Sequence, residues 1–289
     1  MKNIIEYIIF LLFSKLFQAL GIKIARKCAF IIALIFYYII PIRKNTVLEN
    51  LKNAFPEYDS KKIKKVAFGS YKSFAIALTE ILCLPKMNDS DIKRQVEYED
   101  MNLIREKYEE NKGVILLSAH FGNWEYIALS AAVQLDIPFT VIVKSQRNPY
   151  VTNWMNNVRT KWNNKIVSLG ISIRQVYETL KDKQVIAMVA DQRGPVESVK
   201  VNFFGRSISV HTGPAILALK TGAPILYGIS VRQDDYSYNA KIVEISTKNL
   251  SGSLEEKIRE VSQRHMSHLE AYIRRFPDQW LWMHKRWKH

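Results

Sequence analysis

The chain has 289 residues, of which 42 are Lys or Arg and 27 are Asp or Glu, so its formal net charge is +15. Hydrophobic residues make up 48% of the sequence, and its two cysteines are Cys28 and Cys83. This composition excludes a disordered chain and a disulfide-stabilised scaffold. The positive charge predicts an anionic partner, which could be nucleic acid, an acidic protein or anionic lipid.

The N-terminal part of the chain contains two hydrophobic stretches. Residues 4–21 could just cross a bilayer as a helix, whereas residues 28–42 are too short to span it comfortably and could form an interfacial, re-entrant or core helix. The first stretch lacks a strongly basic start and a small-residue cleavage site, which favours a retained anchor over a signal peptide. Two core helices of a soluble protein are the alternative. We predict a membrane-anchoring segment over residues 1–42 and a larger domain over residues 43–289.

Basic residues are concentrated directly after these stretches. Residues 43–73 contain eight Lys or Arg and three Asp or Glu. Because positively charged flanks remain on the cytoplasmic side of a membrane, this asymmetry predicts that the body of the chain lies in the cytoplasm against the anionic inner leaflet. The same lysines could form an ordinary solvated helix face, and the two interpretations are compatible.

The remaining sequence alternates helical patterns with short apolar runs. Residues 59–84 show helical spacing, and Pro85 ends that helix. Nearly continuous apolar runs predict strands that are covered on both faces. These runs are Val114–Ala119, Phe139–Lys144, Val185–Asp191, Pro224–Val231 and Ala240–Ile245. The predicted helices around them are residues 124–134, 150–163, 172–181 and 212–221.

The C-terminal part begins with a capping box formed by Ser253 and Glu256. An apolar stripe follows it at helical spacing and ends at Pro277. The whole pattern predicts an α/β fold: one domain with a central, mostly parallel or mixed sheet flanked by helices, plus an N-terminal membrane-anchoring helix.

The strongest local signal is the segment SAHFGNWE, residues 118–125. It places His120 at the C-terminal end of a predicted strand, where open α/β sheets bind their ligands. Asn123 can cap the next helix, and Glu125 lies in its first turn. His120 and Glu125 would not meet on one ideal helix, but they can meet if His120 precedes it. Glu125 would then fix the imidazole tautomer and leave the other nitrogen as a general base for a hydroxyl. An exposed histidine near a helix start is the alternative.

Several other chemistries lack their sequence patterns. The chain contains no G-x-S-x-G, P-loop, G-x-G-x-x-G or H-E-x-x-H motif. His265 and His268 lie one helical turn apart without further zinc ligands, so we expect both at the surface. No nucleic-acid-binding motif stands out. The sequence therefore predicts no metal, no cofactor and no nucleic-acid partner.

The segment AHFGNWE resembles the active-site block of the bacterial lipid A biosynthesis (late) acyltransferases, which share a His-x4-Asp/Glu pattern with the lysophospholipid-acyltransferase-like enzymes. Further blocks occur in the family's order along nearly the whole chain. They are Arg43, Asn50, Leu51 and Phe55–Glu57, VIVKSQRNPY with Asn148 and Pro149, Arg159, Asp191 and Gln192, Phe203–Gly205, Thr212 and Gly213, and the tail QWLWMHKRWK. Two positions depart from the family, because Lys144 replaces a usual Arg and Arg193 stands where many members have an acidic residue.

The resemblance implies four catalytic residues. His120 would be the base, Glu125 would orient it, and Arg159 would stabilise the oxyanion or bind phosphate, with backbone N–H groups of Gly122 and Asn123 as alternatives for the oxyanion. Asp191 would be functional in a role that the sequence does not define. The candidate substrate-binding residues are Asn123, Lys144, Gln192, Phe203, Phe204 and Thr212.

The resemblance also implies the substrates and the location. The donor would be an acyl carrier protein thioester, the acceptor a hydroxyl of a Kdo-lipid IVA type precursor, and the location the bacterial inner membrane. Another glycolipid of the phosphatidylinositol mannoside type, or a lysolipid, is the alternative acceptor, and an inactive lipid-binding protein is the alternative class. The tryptophans of the tail, Trp280, Trp282 and Trp287, lie beside basic residues, which suits the bilayer interface. A position in the core is the competing interpretation.

Overall fold

The structure is a computed structural model that describes residues 1–169 and 173–287. The helices in these residues are α1 (Lys2–Leu20), α2 (Ile22–Leu34), α3 (Lys44–Ala54), α4 (Ser60–Cys83), α5 (Asp89–Gln95), α6 (Met101–Glu109), α7 (Trp124–Leu135), α8 (Pro149–Thr160), α9 (Ile173–Lys181), α10 (Gly213–Thr221) and α11 (Leu254–Arg275). The strands are β1 (Val96–Glu99), β2 (Val114–Ser118), β3 (Phe139–Val143), β4 (Lys165–Ser168), β5 (Val185–Val189), β6 (Lys200–Phe203), β7 (Arg206–Ser209), β8 (Ile225–Arg232) and β9 (Tyr238–Ile245). A π-helix, Ile35–Ile39, extends α2, and a short 3₁₀ turn, Leu84–Lys86, extends α4. The predicted helix at 172–181 begins at residue 172, which lies outside the described residues.

The predicted α/β fold is confirmed. Seven strands form one sheet in the order β1-β9-β8-β2-β5-β3-β4. Strands β2, β3, β4, β5 and β8 run in one direction. Strand β9 pairs antiparallel with β8, and β1 pairs parallel with β9, so both run in the opposite direction. The carboxyl ends of β2 and β5 therefore meet at one edge of the sheet. Strands β6 and β7 form a separate antiparallel hairpin.

Helix starts are fixed by side-chain caps. The capping box of Ser253 and Glu256 forms as predicted at the start of α11. Asn123 caps α7, because its side-chain oxygen accepts a hydrogen bond from the backbone N–H of Tyr126 at 3.2 Å. Each cap satisfies a backbone donor that has no partner within the helix. The second cap also fixes the loop that leaves β2, which is the loop that carries His120.

The N-terminal helices pack on the body of the molecule along one face. Ala25, Ala29 and Ala33, spaced by four residues along α2, are fully buried, and α2 packs on α4. Ser14 and Gln18 of α1 donate hydrogen bonds to the same backbone carbonyl, that of Leu82 in α4. The predicted division at residue 42 stays a prediction, although α2 shares its core with α4.

The opposite face of α1 is apolar and exposed. It presents Ile4, Ile5, Ile8, Ile9, Leu12, Phe13 and Leu16. Among the described helices, residues 2–20 and 60–86 are long and apolar enough to cross a membrane. The apolar window of residues 60–86 is 72% buried inside the protein, against 17% for α1. Helix α4 is therefore a core helix, whereas α1 presents a surface suited to lipid.

The C-terminal tail folds into the core, so the structure favours the core over the bilayer interface for its tryptophans. Trp280 is 2% exposed and Trp282 is fully buried. Trp287 stacks on Trp282 with 6.4 Å between the ring centroids. Lys288, at the end of the same segment, lies outside the described residues. The expectation for His265 is wrong, because it occupies the inner face of α11 and is only 2% exposed.

Candidate active site

The sheet register brings His120 and Asp191 together. Strands β2 and β5 pair in parallel with Ser118 opposite Val189, so the residues two positions beyond each of them are again neighbours. The Asp191 carboxylate accepts a hydrogen bond from the His120 ring at Nδ1, 2.7 Å from Oδ1, and a second from the His120 backbone N–H, 2.9 Å from Oδ2. Both groups lie at the carboxyl edge of the sheet, where ligands of such folds bind.

The C-terminal tail supports this pair. The indole N–H of Trp280 donates a hydrogen bond to Asp191 Oδ2 at 2.8 Å. The backbone N–H of Leu281 donates to the His120 carbonyl at 3.0 Å. Gly122 is needed in the turn that follows, because its φ is +55° and a Cβ there would lie 2.3 Å from the carbonyl oxygen of Ser230. The position of the imidazole is thus set by two strands, one turn and the tail.

The electrostatics of the pair favour an ionised carboxylate beside a basic imidazole. Burial works to raise the pKa of Asp191, but the charge of His120 and three hydrogen bonds hold that pKa well below its ordinary value. Burial works to lower the pKa of His120, yet Asp191 and, more weakly, Glu125 raise it above the ordinary value. Because an ionised carboxylate only accepts hydrogen bonds, Nδ1 carries the proton. Nε2 of the neutral ring is then free of a proton and can act as a base.

The predicted contact between Glu125 and His120 is wrong. The Glu125 carboxylate instead accepts two hydrogen bonds from the guanidinium of Arg159, at 3.0 Å from Nε and 2.5 Å from Nη2. Glu125 lies in the first turn of α7 and Arg159 in the last turn of α8, and the two side chains meet across the space between these helix ends. Asp191 is the carboxylate that contacts the His120 ring. The charge of Glu125 contributes to the raised pKa of His120.

Asn123 was predicted to bind substrate, but the structure places it in the interior. Its side chain is fully buried, and its amide donates a hydrogen bond to Glu80 Oε2 at 2.8 Å. Glu80, also fully buried, accepts a further hydrogen bond from Tyr238 and forms an ion pair with Arg26 of α2 at 2.7 Å. With both polar atoms of its side chain engaged, Asn123 orders the loop. The network connects the N-terminal helices to the turn that carries His120.

Phe203 and Phe204 also depart from their predicted role in a substrate groove. Phe203 is fully buried and Phe204 is 6% exposed. Their rings pack against the rings of Phe55, Trp282 and Trp287. They belong to the core beneath the tail, because the hairpin of β6 and β7 packs on α11.

Three further predicted substrate-binding residues lie at or near the surface. Lys144 follows β3 and is exposed, and Gln192, next to Asp191, is half-buried. Thr212 lines a cleft of about 660 Å³ between residues 196–200 and the start of α11, whose lining does not include His120. Burial and the charges of Arg286 and Lys144 lower the pKa of His211, so Lys144 lies close to the residue that precedes Thr212. Their contact with substrate stays a prediction.

Several residues near the pair show no local sequence signal for a place at the site. Besides Trp280 and Glu80, His284 accepts a hydrogen bond at Nε2 from the backbone N–H of Arg193, at 3.2 Å. Burial lowers the pKa of His284 to about 4, so this ring is neutral at physiological pH. Arg286 is 1% exposed, and burial lowers its pKa to about 10 against the opposing effect of Asp191. Only the similarity of the tail to the family's ending pointed to this segment.

The fold and the pair define a class of protein: an α/β protein with a hydrogen-bonded histidine–aspartate pair at the carboxyl edge of a mostly parallel sheet. The family model of the bacterial lipid A biosynthesis acyltransferases matches residues 2–289, and the chain belongs to this family. The chain is an acyltransferase of lipid A biosynthesis.

Individual relatives are acyltransferases as well. The chain is 23% identical to the lipid A biosynthesis palmitoleoyltransferase of Escherichia coli strain K12 over 249 residues, which are 85% of this chain and 79% of that protein. It is 24% identical to the lipid A biosynthesis lauroyltransferase of the same strain over 249 residues, again 85% of this chain and 79% of that protein. A phosphatidylinositol mannoside acyltransferase of Mycolicibacterium smegmatis is 26% identical over 160 residues, 54% of this chain and 52% of that protein.

Proposed function

We propose that the protein transfers a fatty acyl chain from an acyl carrier protein thioester to a hydroxyl of a lipid A precursor of the Kdo-lipid IVA type. The observation that carries this proposal is the hydrogen bond between His120 Nδ1 and Asp191 Oδ1, at 2.7 Å, in a chain of the lipid A family. The positive net charge of +15 supports an acidic protein as donor and a phosphorylated glycolipid as acceptor.

His120 activates the acceptor in this mechanism. Nε2 takes the proton of the acceptor hydroxyl while its oxygen attacks the thioester carbonyl, and a tetrahedral intermediate forms. As the intermediate collapses, the carbon–sulfur bond breaks and the leaving thiolate receives the proton from the imidazolium. Asp191 stabilises the imidazolium and fixes the tautomer. Because the acceptor oxygen itself attacks the thioester, the acyl group passes directly to the acceptor.

Arg159 is the candidate for stabilising the oxyanion. Its pair with Glu125 engages Nε and one Nη2 hydrogen, so three of its five N–H groups lie outside these two bonds. Burial works to lower the pKa of Arg159, but Glu125 raises it, so the guanidinium stays charged. Of the two backbone alternatives, the N–H of Gly122 donates to the carbonyl of Gln279 at 3.0 Å and is therefore engaged.

We also propose that the enzyme works at the bacterial inner membrane, with its catalytic domain on the cytoplasmic side. The exposed apolar face of α1 and the eight basic residues within residues 43–73 support this location. Helix α1 also packs on α8, the helix that carries Arg159: Tyr7 stacks on Tyr150 with ring centroids 5.5 Å apart. Membrane attachment would thus occur close to the site.

The experiment combines two donors with three acceptors. Purified full-length protein in detergent is incubated with acyl carrier protein thioester or coenzyme A thioester, and with a Kdo-lipid IVA type precursor, a phosphatidylinositol mannoside or a lysophospholipid. We expect transfer from the carrier protein to the lipid A precursor, and less from coenzyme A. Transfer only to the mannoside would favour the second candidate, which the mycobacterial relative supports. Transfer to none of the acceptors would contradict an active enzyme.

A further inference from the structure

A basic, aromatic-lined cleft lies where the N-terminal helices turn into the body of the molecule. It has a volume of about 400 Å³ and is bounded by the π-helix, α3 and α4. Its lining includes the three lysines Lys44, Lys64 and Lys65 and the three aromatic residues Tyr37, Tyr38 and Phe68. No Asp or Glu is part of the lining. An anion would find three ammonium groups and no opposing carboxylate there.

One of these ammonium groups is held in place by the fold. Lys44 Nζ donates a hydrogen bond to the backbone carbonyl of Tyr37 at 3.1 Å and lies 4.0 Å from the centroid of the Tyr37 ring. It also lies 5.2 Å from the centroid of the Tyr38 ring. Tyr37 is itself only 3% exposed. Lys44 is therefore a fixed cation on a buried aromatic floor, unlike a freely rotating surface lysine.

The other two lysines provide charge that is not neutralised locally. Lys64 and Lys65 lie on the outer face of α4 and are exposed. Across residues 1–169 and 173–287, none of the three cleft lysines forms an ion pair with a carboxylate. Two mobile ammonium groups beside a fixed one can close around a phosphate, since Lys offers three donors on a flexible stem.

The surface next to the cleft is apolar and points to a lipid. The chain bends by 94° between residues 22–39 and α3. At this bend Tyr38 is 64% exposed, Ile39 72% and Ile40 58%. A cleft for a free anion would not need an exposed apolar edge, whereas a phospholipid presents a phosphate directly beside its acyl chains. Basic groups next to exposed apolar side chains are the pattern of a bilayer interface.

We propose that this cleft binds the phosphate of an anionic membrane phospholipid, with the acyl chains of that lipid lying along the exposed side chains of residues 38–40. Lys44 would contact the phosphate from the aromatic floor, and Lys64 and Lys65 from the α4 side. His120 does not line this cleft, and the proposal does not depend on the proposed acyl transfer. It would hold the bend at the depth of the lipid headgroups.

The test uses full-length protein in non-ionic detergent micelles and fluorescently labelled phosphatidylglycerol, with binding followed by anisotropy. The Lys64→Gln/Lys65→Gln variant should weaken binding about 10- to 30-fold, given the contribution of one basic residue near an anionic lipid surface. The Lys44→Gln variant should weaken it about 5- to 10-fold. The control Lys93→Gln/Lys220→Gln removes the same charge from exposed positions outside the cleft and should change binding by less than about twofold.

Competition identifies the ligand. Unlabelled phosphatidylglycerol should displace the probe, while phosphatidylcholine and inorganic phosphate should do so only at far higher concentrations. Equal displacement by inorganic phosphate would overturn the assignment to a lipid. Equal loss of binding in the control and cleft variants would overturn the cleft itself, because diffuse charge would then explain it. Thermal unfolding of each variant shows that the compared proteins are folded, and the conservative Lys44→Arg variant, which keeps the charge, should retain most of the binding.

Discussion

Replacing Asp191 by Asn tests how the carboxylate contributes to catalysis. The substitution keeps the size of the side chain and removes its charge. A unit charge 2.7 Å from the imidazolium that forms during the reaction is worth about 6 kcal/mol at an effective dielectric constant of about 20. Delocalisation over both groups reduces this value, so we expect kcat to fall by about 10²- to 10⁴-fold. Asp182→Asn, at an exposed position after α9, is the matched control and should keep full activity.

The Asp191→Asn variant should also shift the pH dependence of activity in a defined direction. The proposed mechanism needs neutral His120, so activity should fall as the pH drops through the raised pKa of that residue. In Asp191→Asn the burial that lowers this pKa is no longer outweighed, so the acid limb of the kcat/KM profile should move to lower pH. Initial rates measured from pH 5 to 9 follow this limb. An acid limb that stays in place, or near-wild-type turnover, would refute the role of Asp191.

Three further predictions concern the groups around the pair. Arg159→Gln leaves the Glu125 carboxylate buried without its counter-ion and should lower the free energy of unfolding by about 3 kcal/mol, and Glu125→Gln/Arg159→Gln should recover part of this in denaturant titrations. Trp280→Phe removes one of the three hydrogen bonds to the Asp191 carboxylate and should lower kcat by roughly tenfold with little change in KM. Arg26→Met removes the counter-ion of fully buried Glu80 and should lower Tm more than Arg26→Lys, whereas equal Tm values would show that the ion pair is not needed.

The main features of the fold could be predicted because the central strands have a simple signature. The runs that became β2, β5 and β8 are almost continuously apolar, as strands covered on both faces must be. The edge strands β1 and β4 have the sequences VEYE and KIVS, which carry too little apolar character to be recognised. Their place follows from pairing with a neighbour, and that information lies elsewhere in the chain.

The site shows the same limit of what local sequence can predict. The position of His120 at a strand end followed from local sequence, but its partner did not. The spacing of His120 and Glu125 indicated a contact between them, whereas the register of two strands far apart in the chain brings Asp191 to the ring. Local sequence also left the position of the tail open, because tryptophans beside basic residues suit an interface as well as a core. Only the fold shows that Trp280 is buried and donates a hydrogen bond to Asp191.

The most direct test of the account compares His120→Ala with the wild-type enzyme. Both proteins are purified at full length, and acyl transfer from acyl carrier protein thioester to the lipid A precursor is measured under single-turnover conditions. We predict a rate lower by about 10²- to 10⁴-fold in a variant that still shows a cooperative thermal unfolding transition, with unchanged binding of phosphatidylglycerol. A variant that transfers the acyl chain at close to the wild-type rate would contradict the assignment of His120 as the base.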